Sequence, residues 1–235
     1  MTEFTTWRSL VDGAEISAIP DIGMFESPKY QWFAGLIDEA DSTSPVDFPE
    51  GLEDIDAATS IGDPTFRQDT DAFPSVEYDG VDDAHDFDVT DLDMNEGSES
   101  FSLSVLFKVV DGSDRQAIIS YGTEDGIGEV WLETDGDGGF GFNSSGRSGV
   151  QGGSVPDGEL VTGGVSYDGS TIRSYFNGDE VDSDEETLEI GDEWYEFGSR
   201  NGDFHLDGNI IEIIYSQTAE SGEAFSDYHE DRLGD

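Results

Sequence analysis

The chain has 235 residues, and its 56 Asp and Glu against 9 Lys and Arg give a formal net charge of -47 at pH 7. Binding to phosphates requires clustered Lys and Arg, so this charge excludes nucleic acid as a partner and argues equally against an anionic membrane surface. There is no cysteine, which excludes disulfides and thiolate metal sites. No apolar run is as long as a membrane span, so membrane insertion is not expected either.

The acidic excess also bears on where such a chain folds. Repulsion among like charges opposes the compact state, and the screening length falls from roughly 10 Å at 0.1 M salt to roughly 3 Å at 1 M. The composition is typical of proteins from extreme halophiles, so we expect folding to need molar salt. Intrinsic disorder is the alternative for so charged a chain, but the 34% hydrophobic content and 15 Phe stand in strand-like runs and favour a folded domain.

Residues 1–29 are predicted to form an N-terminal arm or small anchoring segment. Their apolar residues follow no period, and Pro20 and Pro28 interrupt them. The start lacks the basic region and apolar stretch of a secretory signal, so we expect synthesis in the cytoplasm. Residues 30–235 are predicted to form one domain, with a loop-rich stretch at 38–70.

From about residue 72 the pattern is that of β-strands. The segment FSLSVLFKV (101–109) alternates apolar residues with Ser102, Ser104 and Lys108, which predicts one buried face and one face in water. Many short strands with turns between them predict an antiparallel sandwich or barrel. Further strands are predicted at 117–121, 129–133, 139–143, 160–168, 171–178, 194–199 and 209–216. A single helix is predicted at 221–233, with Ser221 as its N-cap.

Four segments, in order, resemble the laminin-G-like jelly-roll domains of the concanavalin A-like lectin/glucanase superfamily. YDGVDD (78–83) resembles that family's FDG-x-DD segment, and FSLSVLFK (101–108) resembles its F-T-I-S-x-W-V-K strand, with Leu106 at the usual Trp position. VSYDGSTIRSYFNGDEV (165–181) resembles its hairpin, and residues 204–233 resemble its closing strand and helix. The resemblance covers residues 30–235. It implies an all-β, antiparallel jelly-roll sandwich with a short C-terminal helix, a fold that commonly binds glycans or proteins and often uses calcium.

The acidic stretch YDGVDDAHDF (78–87) is the candidate metal site. Calcium takes six to eight oxygen ligands, and the resemblance implies Asp79, Asp82 and Asp83, together with Glu212 on the last strand, as candidate ligands. Ile211 stands where relatives carry Asp. The alternative is a strand end followed by a turn in a protein that is acidic everywhere. A second acidic segment, TDGDGGFGF (134–142), is predicted to be a hairpin turn because an EF-hand would need an acid where Gly146 stands.

The resemblance raises two possibilities, hydrolysis of a sugar and binding of a sugar. Glu129 and Glu133 share a face of one predicted strand, but four strand residues span ~13 Å, whereas a retaining glycosidase holds its carboxyl groups about 5–5.5 Å apart. We therefore expect no enzymatic activity. Aromatic rings that stack on sugars are expected at Trp131, Tyr175, Trp194 and Tyr195, with Tyr121 as a further candidate; packing in the core is the alternative for each.

The leading hypothesis is a non-enzymatic virion surface protein (turret, spike or tail fibre) of a haloarchaeal virus, with a lectin-like domain that binds a host surface glycan or glycoprotein. Assembly inside the cell and release by lysis would bring a chain without a signal peptide to the virion surface. The arm would dock on other virion proteins, and a homo-oligomer is expected. The alternatives are a halophilic carbohydrate-binding protein outside a virion and, less favoured, a glycoside hydrolase.

Overall fold

The computed structural model describes residues 10–11, 14–15, 28–34, 59–70, 73–87, 100–122, 130–135, 139–144, 149–188, 194–200 and 202–234. Their strands, in chain order, are β1 (Leu10–Val11), β2 (Ala14–Glu15), β3 (Pro28–Phe33), β4 (Thr59–Ile61), β5 (Thr65–Thr70), β6 (Phe73–Asp79), β7 (Ala84–Phe87), β8 (Phe101–Val109), β9 (Arg115–Gly122), β10 (Val130–Asp135), β11 (Phe140–Ser144), β12 (Val150–Gly152), β13 (Val161–Tyr167), β14 (Thr171–Phe176), β15 (Asp179–Glu185), β16 (Trp194–Phe197) and β17 (Asp207–Ser216). The helix α1 (Gly222–Leu233) follows β17.

Two antiparallel sheets form a sandwich, which confirms the predicted fold class. Sheet I has eight strands in the order β15-β14-β13-β8-β17-β6-β5, with β3 paired to the second half of β17. Sheet II has seven strands in the order β12-β11-β10-β9-β16-β7-β4. Strands β1 and β2 form a separate two-stranded sheet, and most of the predicted arm lies outside the described residues. The predicted boundary after residue 29 falls within β3.

The core lies between the two sheets and explains the alternation in the sequence. Leu103, Val105 and Phe107 of β8 face Phe140 and Phe142 of β11 within one buried apolar cluster. The rings of Phe107 and Phe140 stack with their centroids 5.6 Å apart. Burial of such side chains provides the main stabilisation of the fold, about 1.5–3 kcal/mol for each fully buried large apolar side chain.

Part of the outer face of sheet I is covered by α1, which the sequence did not indicate. Ser102 and Ser104 were expected in water, and both are fully buried. That prediction was wrong because α1 and the segment before it lie over this face. Ser102 Oγ accepts a hydrogen bond from the Glu220 N–H at 2.7 Å. A second apolar cluster joins sheet I to the helix, with members Leu106, Tyr175, Ile211, Ile214, Ala224, Phe225 and Tyr228.

The helix has the predicted N-cap. Ser221 Oγ accepts a hydrogen bond from the Ala224 N–H at 3.3 Å, and Gly234, in the left-handed region with φ 72, ends the helix. Thr162 Oγ1 and His229 Nδ1 lie 3.0 Å apart across the interface with the sheet. Within the described residues, no helix combines the length and apolar character needed to cross a membrane.

Candidate functional site

The outer face of sheet II carries a compact polar network around Glu133. Glu133 pairs with Gly141 of β11. The neighbours of Gly141 on that strand, Phe140 and Phe142, face the core, so Gly141 and Glu133 belong to the outer face. Its carboxylate is only 1% exposed. Arg115 donates two hydrogen bonds to it, from Nε at 2.7 Å and from Nη2 at 2.8 Å, and Asn143 Nδ2 donates a third at 2.5 Å. Such bidentate, charge-assisted bonds hold the guanidinium plane in one orientation.

An exposed aromatic ring borders this network. The guanidinium carbon of Arg115 lies 4.9 Å from the centroid of the Phe204 ring, and that of Arg200 lies 5.7 Å from it. The Phe204 side chain is 39% exposed. Its φ of 55 is in the left-handed region, which a bulky residue rarely adopts and which costs on the order of 1 kcal/mol. The Ala117 N–H donates to the Phe204 carbonyl at 2.7 Å, so the ring is positioned by β9.

Three of the predicted aromatic residues lie on the two strands that flank β9. Trp131 pairs with Ser120 of β9, and Trp194 pairs with Gly122. By the two-residue period of a strand, position 131 shares a face with Glu133, and position 194 shares a face with Glu196. Glu196 and Trp131 both pair with Ser120, so these positions lie on one face. Position 195, paired with position 121, lies on the other face by the same period. The side chains of these aromatic residues lie outside the described part of the structure, as does Glu129.

Tyr175 is not brought to this face. It belongs to sheet I, is 2% exposed, and stacks on Phe225 of α1 with the ring centroids 4.0 Å apart. Burial raises the pKa of its hydroxyl, and the charge of Glu180 acts in the same direction. Its ring therefore packs the helix onto the sheet, the alternative that the sequence left open.

Glu212, predicted as a fourth metal ligand, is likewise separated from the acidic stretch. It lies on the outer face of sheet I, where Arg232 donates from Nε to Oε2 at 2.7 Å and from Nη2 to Oε1 at 3.1 Å. The Tyr228 hydroxyl donates to Oε2 at 3.1 Å. Asp79 pairs instead with Asp207, five residues earlier on β17 and so roughly 17 Å away along the strand. Glu212 therefore anchors the helix and does not belong to the acidic cluster.

The other three predicted ligands do come together. Asp79, Asp82 and Asp83 place one carboxylate oxygen each within 4.8 Å of one another, at the turn between β6 and β7. Asp83 is buried, and its two oxygens accept the backbone N–H groups of Asp63 at 2.7 Å and Asp79 at 2.9 Å. These bonds show a role in bracing the turn. We refer to the three carboxylates as the Asp cluster.

The charges of the Asp cluster repel one another. Burial raises the pKa of the Asp83 carboxyl, and nearby Asp79 and Asp82 raise it further, against the two backbone N–H groups, which lower it. Burial also raises the pKa of Asp207, followed by the charge of Asp79 directly opposite. Three oxygens so spaced fit a hard cation, although calcium would need further ligands from carbonyls or water to reach six.

The polar network around Glu133 was not foreseen from sequence. Glu133 was considered only as half of a catalytic pair, and Arg115, Asn143 and Phe204 were not singled out. The one available signal was scarcity, since Arg115 and Arg200 are two of only 9 cationic residues. Their convergence on Phe204 depends on contacts between distant segments.

Comparison with known proteins agrees with this architecture. Residues 79–222 match the laminin-G-type family Laminin_G_3, described as "Concanavalin A-like lectin/glucanases superfamily". The chain belongs to this family. No curated protein matches the chain.

Solved structures with the same fold include two that contain a bound sugar. Domain 4 of the extracellular GH43 arabinanase AbnA from Geobacillus stearothermophilus, in complex with arabinotriose, is 15% identical, with a TM-score of 0.64 over 86% of this chain and 97% of that one. Trypanosoma rangeli sialidase with sialic acid is 11% identical, with a TM-score of 0.63 over 97% of this chain and 36% of that one. The binding domain of botulinum neurotoxin serotype D is 11% identical, with a TM-score of 0.64 over 90% and 52%. At these identities the likeness shows that the chain shares a fold with these proteins.

Proposed function

We propose that the chain is a glycan-binding module whose ligand lies on the outer face of sheet II. The observation that carries this proposal is the exposed Phe204 ring, held beside the network of Arg115, Glu133 and Asn143. An aromatic ring offers a flat apolar surface for the C–H face of a sugar. The adjacent guanidinium and amide groups, oriented by Glu133, supply hydrogen bonds to hydroxyl groups at fixed positions. The lectin-like fold supports the same conclusion.

We propose binding without hydrolysis. Both carboxylate oxygens of Glu133 accept hydrogen bonds from Arg115 or Asn143, so they are engaged within the protein and are not presented to a glycosidic oxygen as a general acid. Glu196 lies on this face across β9, so at least two strand spacings of roughly 4.8 Å separate its backbone from that of Glu133. Glu196 Oε2 accepts the Ser199 hydroxyl at 2.7 Å. A retaining glycosidase needs two carboxyl groups about 5–5.5 Å apart, and this arrangement does not supply such a pair, so it favours recognition of a glycan over hydrolysis.

Titration of a glycan panel tests the site. Binding would be measured by calorimetry in molar KCl for the wild type, Phe204→Ala and Arg115→Ala, with Tyr175→Phe as a matched aromatic control in sheet I. We expect Phe204→Ala to weaken binding about tenfold, in line with the contribution of one aromatic contact, and Tyr175→Phe to bind as the wild type. Equal affinity in Phe204→Ala would place the ligand elsewhere, and the absence of any glycan ligand would contradict the function itself.

We also propose a setting for this activity: the surface of a virion of a haloarchaeal virus, as a turret, spike or tail fibre. The net charge of -47 supports a saline environment, and a lectin-like fold suits attachment to a host glycan or glycoprotein. In this proposal the N-terminal arm contacts other virion proteins within a homo-oligomer. A halophilic carbohydrate-binding protein outside a virion is the alternative.

Two measurements test the setting. The melting temperature should fall when KCl is lowered from 3 M to 0.1 M, because the screening length then rises to roughly 10 Å and repulsion among the carboxylates reaches farther. An unchanged melting temperature would contradict the halophilic part of the proposal. Antibody labelling of purified particles should detect the chain on intact virions. Detection only in the particle-free fraction would favour the alternative.

A further inference from the structure

One end of the sandwich gathers several turns into a single surface. We define the turn end as residues 61–63, 80–83, 110–114 and 202–207. Backbone hydrogen bonds join these segments: the Gly80 N–H donates to the Leu206 carbonyl at 2.9 Å, and the Val110 N–H donates to the Asp207 carbonyl at 2.8 Å. The Asp63 N–H donates to Asp83 Oδ1 at 2.7 Å. The turn end is therefore a preformed surface built on the ends of both sheets.

The turn end carries the exposed apolar side chains of the described structure. Large apolar residues with exposed side chains in the described ranges are Val81 at 69%, Val110 at 55%, Ile61 at 43% and Phe204 at 39%, and all four belong to this end. Val81 and Val110 follow β6 and β8, the strands on either side of the start of β17, and so lie roughly 10 Å apart. Single exposed apolar residues need no explanation, but a group of them on one end marks an interaction surface.

Carboxylates lie beside Val81 and Val110, whereas Phe204 contacts Arg115 and Arg200. Asp79 and Asp207 stand directly opposite each other on paired strands, an arrangement of like charges that destabilises a sheet. Asp82 and Asp83 follow in the next turn, and Asp111 follows Val110. The other charges that raise the pKa of Asp207 are also acidic, namely Asp79 directly opposite and, beyond it, Glu77, Asp111 and Asp114. A cationic partner would relieve this repulsion on binding.

We propose that the turn end is a docking surface for a protein segment that presents apolar side chains flanked by Lys or Arg. Charge complementarity selects this occupant, because a second copy of the chain or an anionic membrane would add negative charge to a surface that already repels itself. Val81 and Val110 supply the apolar contact, while Asp79, Asp82 and Asp207 receive the cations. Phe204 lies at the border with the proposed glycan face, so the proposal rests on the two valines and is independent of glycan binding.

A synthetic amphipathic peptide of Leu and Lys serves as the probe. Its binding to the full chain would be measured by fluorescence anisotropy in 2 M KCl, where screening suppresses attraction to the acidic surface as a whole. We expect Val81→Ser/Val110→Ser to weaken binding about tenfold or more, because two apolar contacts are lost. Asp82→Asn should weaken it less. The matched control, Asp184→Asn/Glu185→Gln on the exposed acidic strand β15, should bind as the wild type.

Several results would overturn the proposal. Equal affinity of the double valine variant would show attraction by charge alone, as would equal binding of a peptide with Ser in place of Leu. Self-association that disappears in Val81→Ser/Val110→Ser would identify a second copy as the occupant. Tighter binding of the wild type to anionic vesicles than to the peptide would identify a membrane. Circular dichroism confirms that each variant is folded, and unchanged glycan affinity of the valine variant separates this surface from the glycan face.

Discussion

Two Arg–Glu pairs of the same geometry lie on opposite sides of the molecule and differ in their access to water. Arg232 and Glu212 join α1 to sheet I, and Arg115 and Glu133 lie on the outer face of sheet II; in both, Nε lies 2.7 Å from Oε2. Both glutamates are 1% exposed, whereas the arginine side chains are 5% and 39% exposed. The same pair is therefore shielded from water where a helix covers it, and its arginine stays in contact with water where no helix does.

The difference has a structural cause. Arg232 is covered by its own helix, and its guanidinium carbon lies 5.4 Å from the centroid of the Tyr228 ring. Burial alone would lower the pKa of Arg232, but the charge of Glu212 raises it above its ordinary value, so the guanidinium stays protonated. Burial, followed by the charge of Glu212, raises the pKa of Tyr228 well above its usual range, which keeps its hydroxyl a donor.

The largest effect is expected from Arg232→Met. Removing one partner of a buried pair leaves Glu212 charged and uncompensated, which typically costs about 3–5 kcal/mol. The free energy of unfolding, from urea titration in molar KCl, should fall by that amount. Because a buried pair itself adds little compared with apolar residues, the double variant Glu212→Leu/Arg232→Met should recover most of the loss. If Arg232→Met lowers the free energy of unfolding by less than about 1 kcal/mol, the pair is not shielded from water.

A smaller loss of stability is expected from Arg115→Met. The guanidinium is partly exposed, so solvent screens the pair, and Asn143 still donates to Glu133; we expect a loss of about 1 kcal/mol. Glycan affinity should fall in the same variant, whereas folded Glu212→Leu/Arg232→Met should bind glycan normally. The comparison fails if both single variants lose equal stability, or if the double variant also loses its ligand.

A third, smaller effect concerns pH and the turn end. A carboxyl whose pKa is raised in the folded state binds its proton more tightly there, so stability increases as the pH falls from the raised pKa toward the unfolded value. Asp207 and Asp83 both have raised pKa values, and the free energy of unfolding should therefore increase slightly between pH 7 and about pH 4.5. Asp207→Asn should show a smaller increase.

A control on the same pH profile comes from Asp168. The Ser170 hydroxyl and the Thr171 N–H lower the pKa of Asp168 to about 2, so its stabilisation is lost only below about pH 4. Asp168→Asn should leave the increase between pH 7 and 4.5 unchanged. Stability that falls steadily over that interval in the wild type would contradict the assignment of repulsion to the turn end.

Calcium is expected to have the smallest effect. A cation at the Asp cluster would neutralise Asp83 as arginine neutralises the glutamates, but backbone N–H groups already satisfy both oxygens of Asp83. Melting at constant high ionic strength, with calcium and with a chelator, should differ little in the wild type and in Asp82→Asn. Stabilisation near 2.7 kcal/mol at a hundredfold excess of calcium over Kd, absent from Asp82→Asn, would instead establish a specific site.

The fold was predictable because its signals are local. The alternation of residues 101–109 gave β8 with its bounds, and Ser221 marked the start of α1. The dipeptide Asn177-Gly178 forms the turn between β14 and β15, with both residues at positive φ as a tight hairpin requires. The Asp cluster was predictable for the same reason, since its three members lie within five residues.

The rest of the site depends on contacts between distant segments. Tyr175 lies on the face opposite Ile172 and Phe176, as the two-residue period of a strand implies, but that period does not reveal that α1 covers its face. Glu212 and Arg232 are 20 residues apart, on different elements, and the Phe204 ring meets Arg115 only through the packing of the turn end. Such pairings arise from sheet order, which no local pattern encodes.

The position of β17 also has a kinetic consequence. This strand is the last of the sandwich in chain order, yet it lies in the middle of sheet I, between β8 and both β6 and β3. Sheet I therefore cannot be completed until residues 207–216 have been synthesised, and its central pairings join residues separated by about a hundred positions or more. Long-range pairing of this kind slows folding, so during synthesis the earlier strands remain with an open edge until β17 emerges from the ribosome.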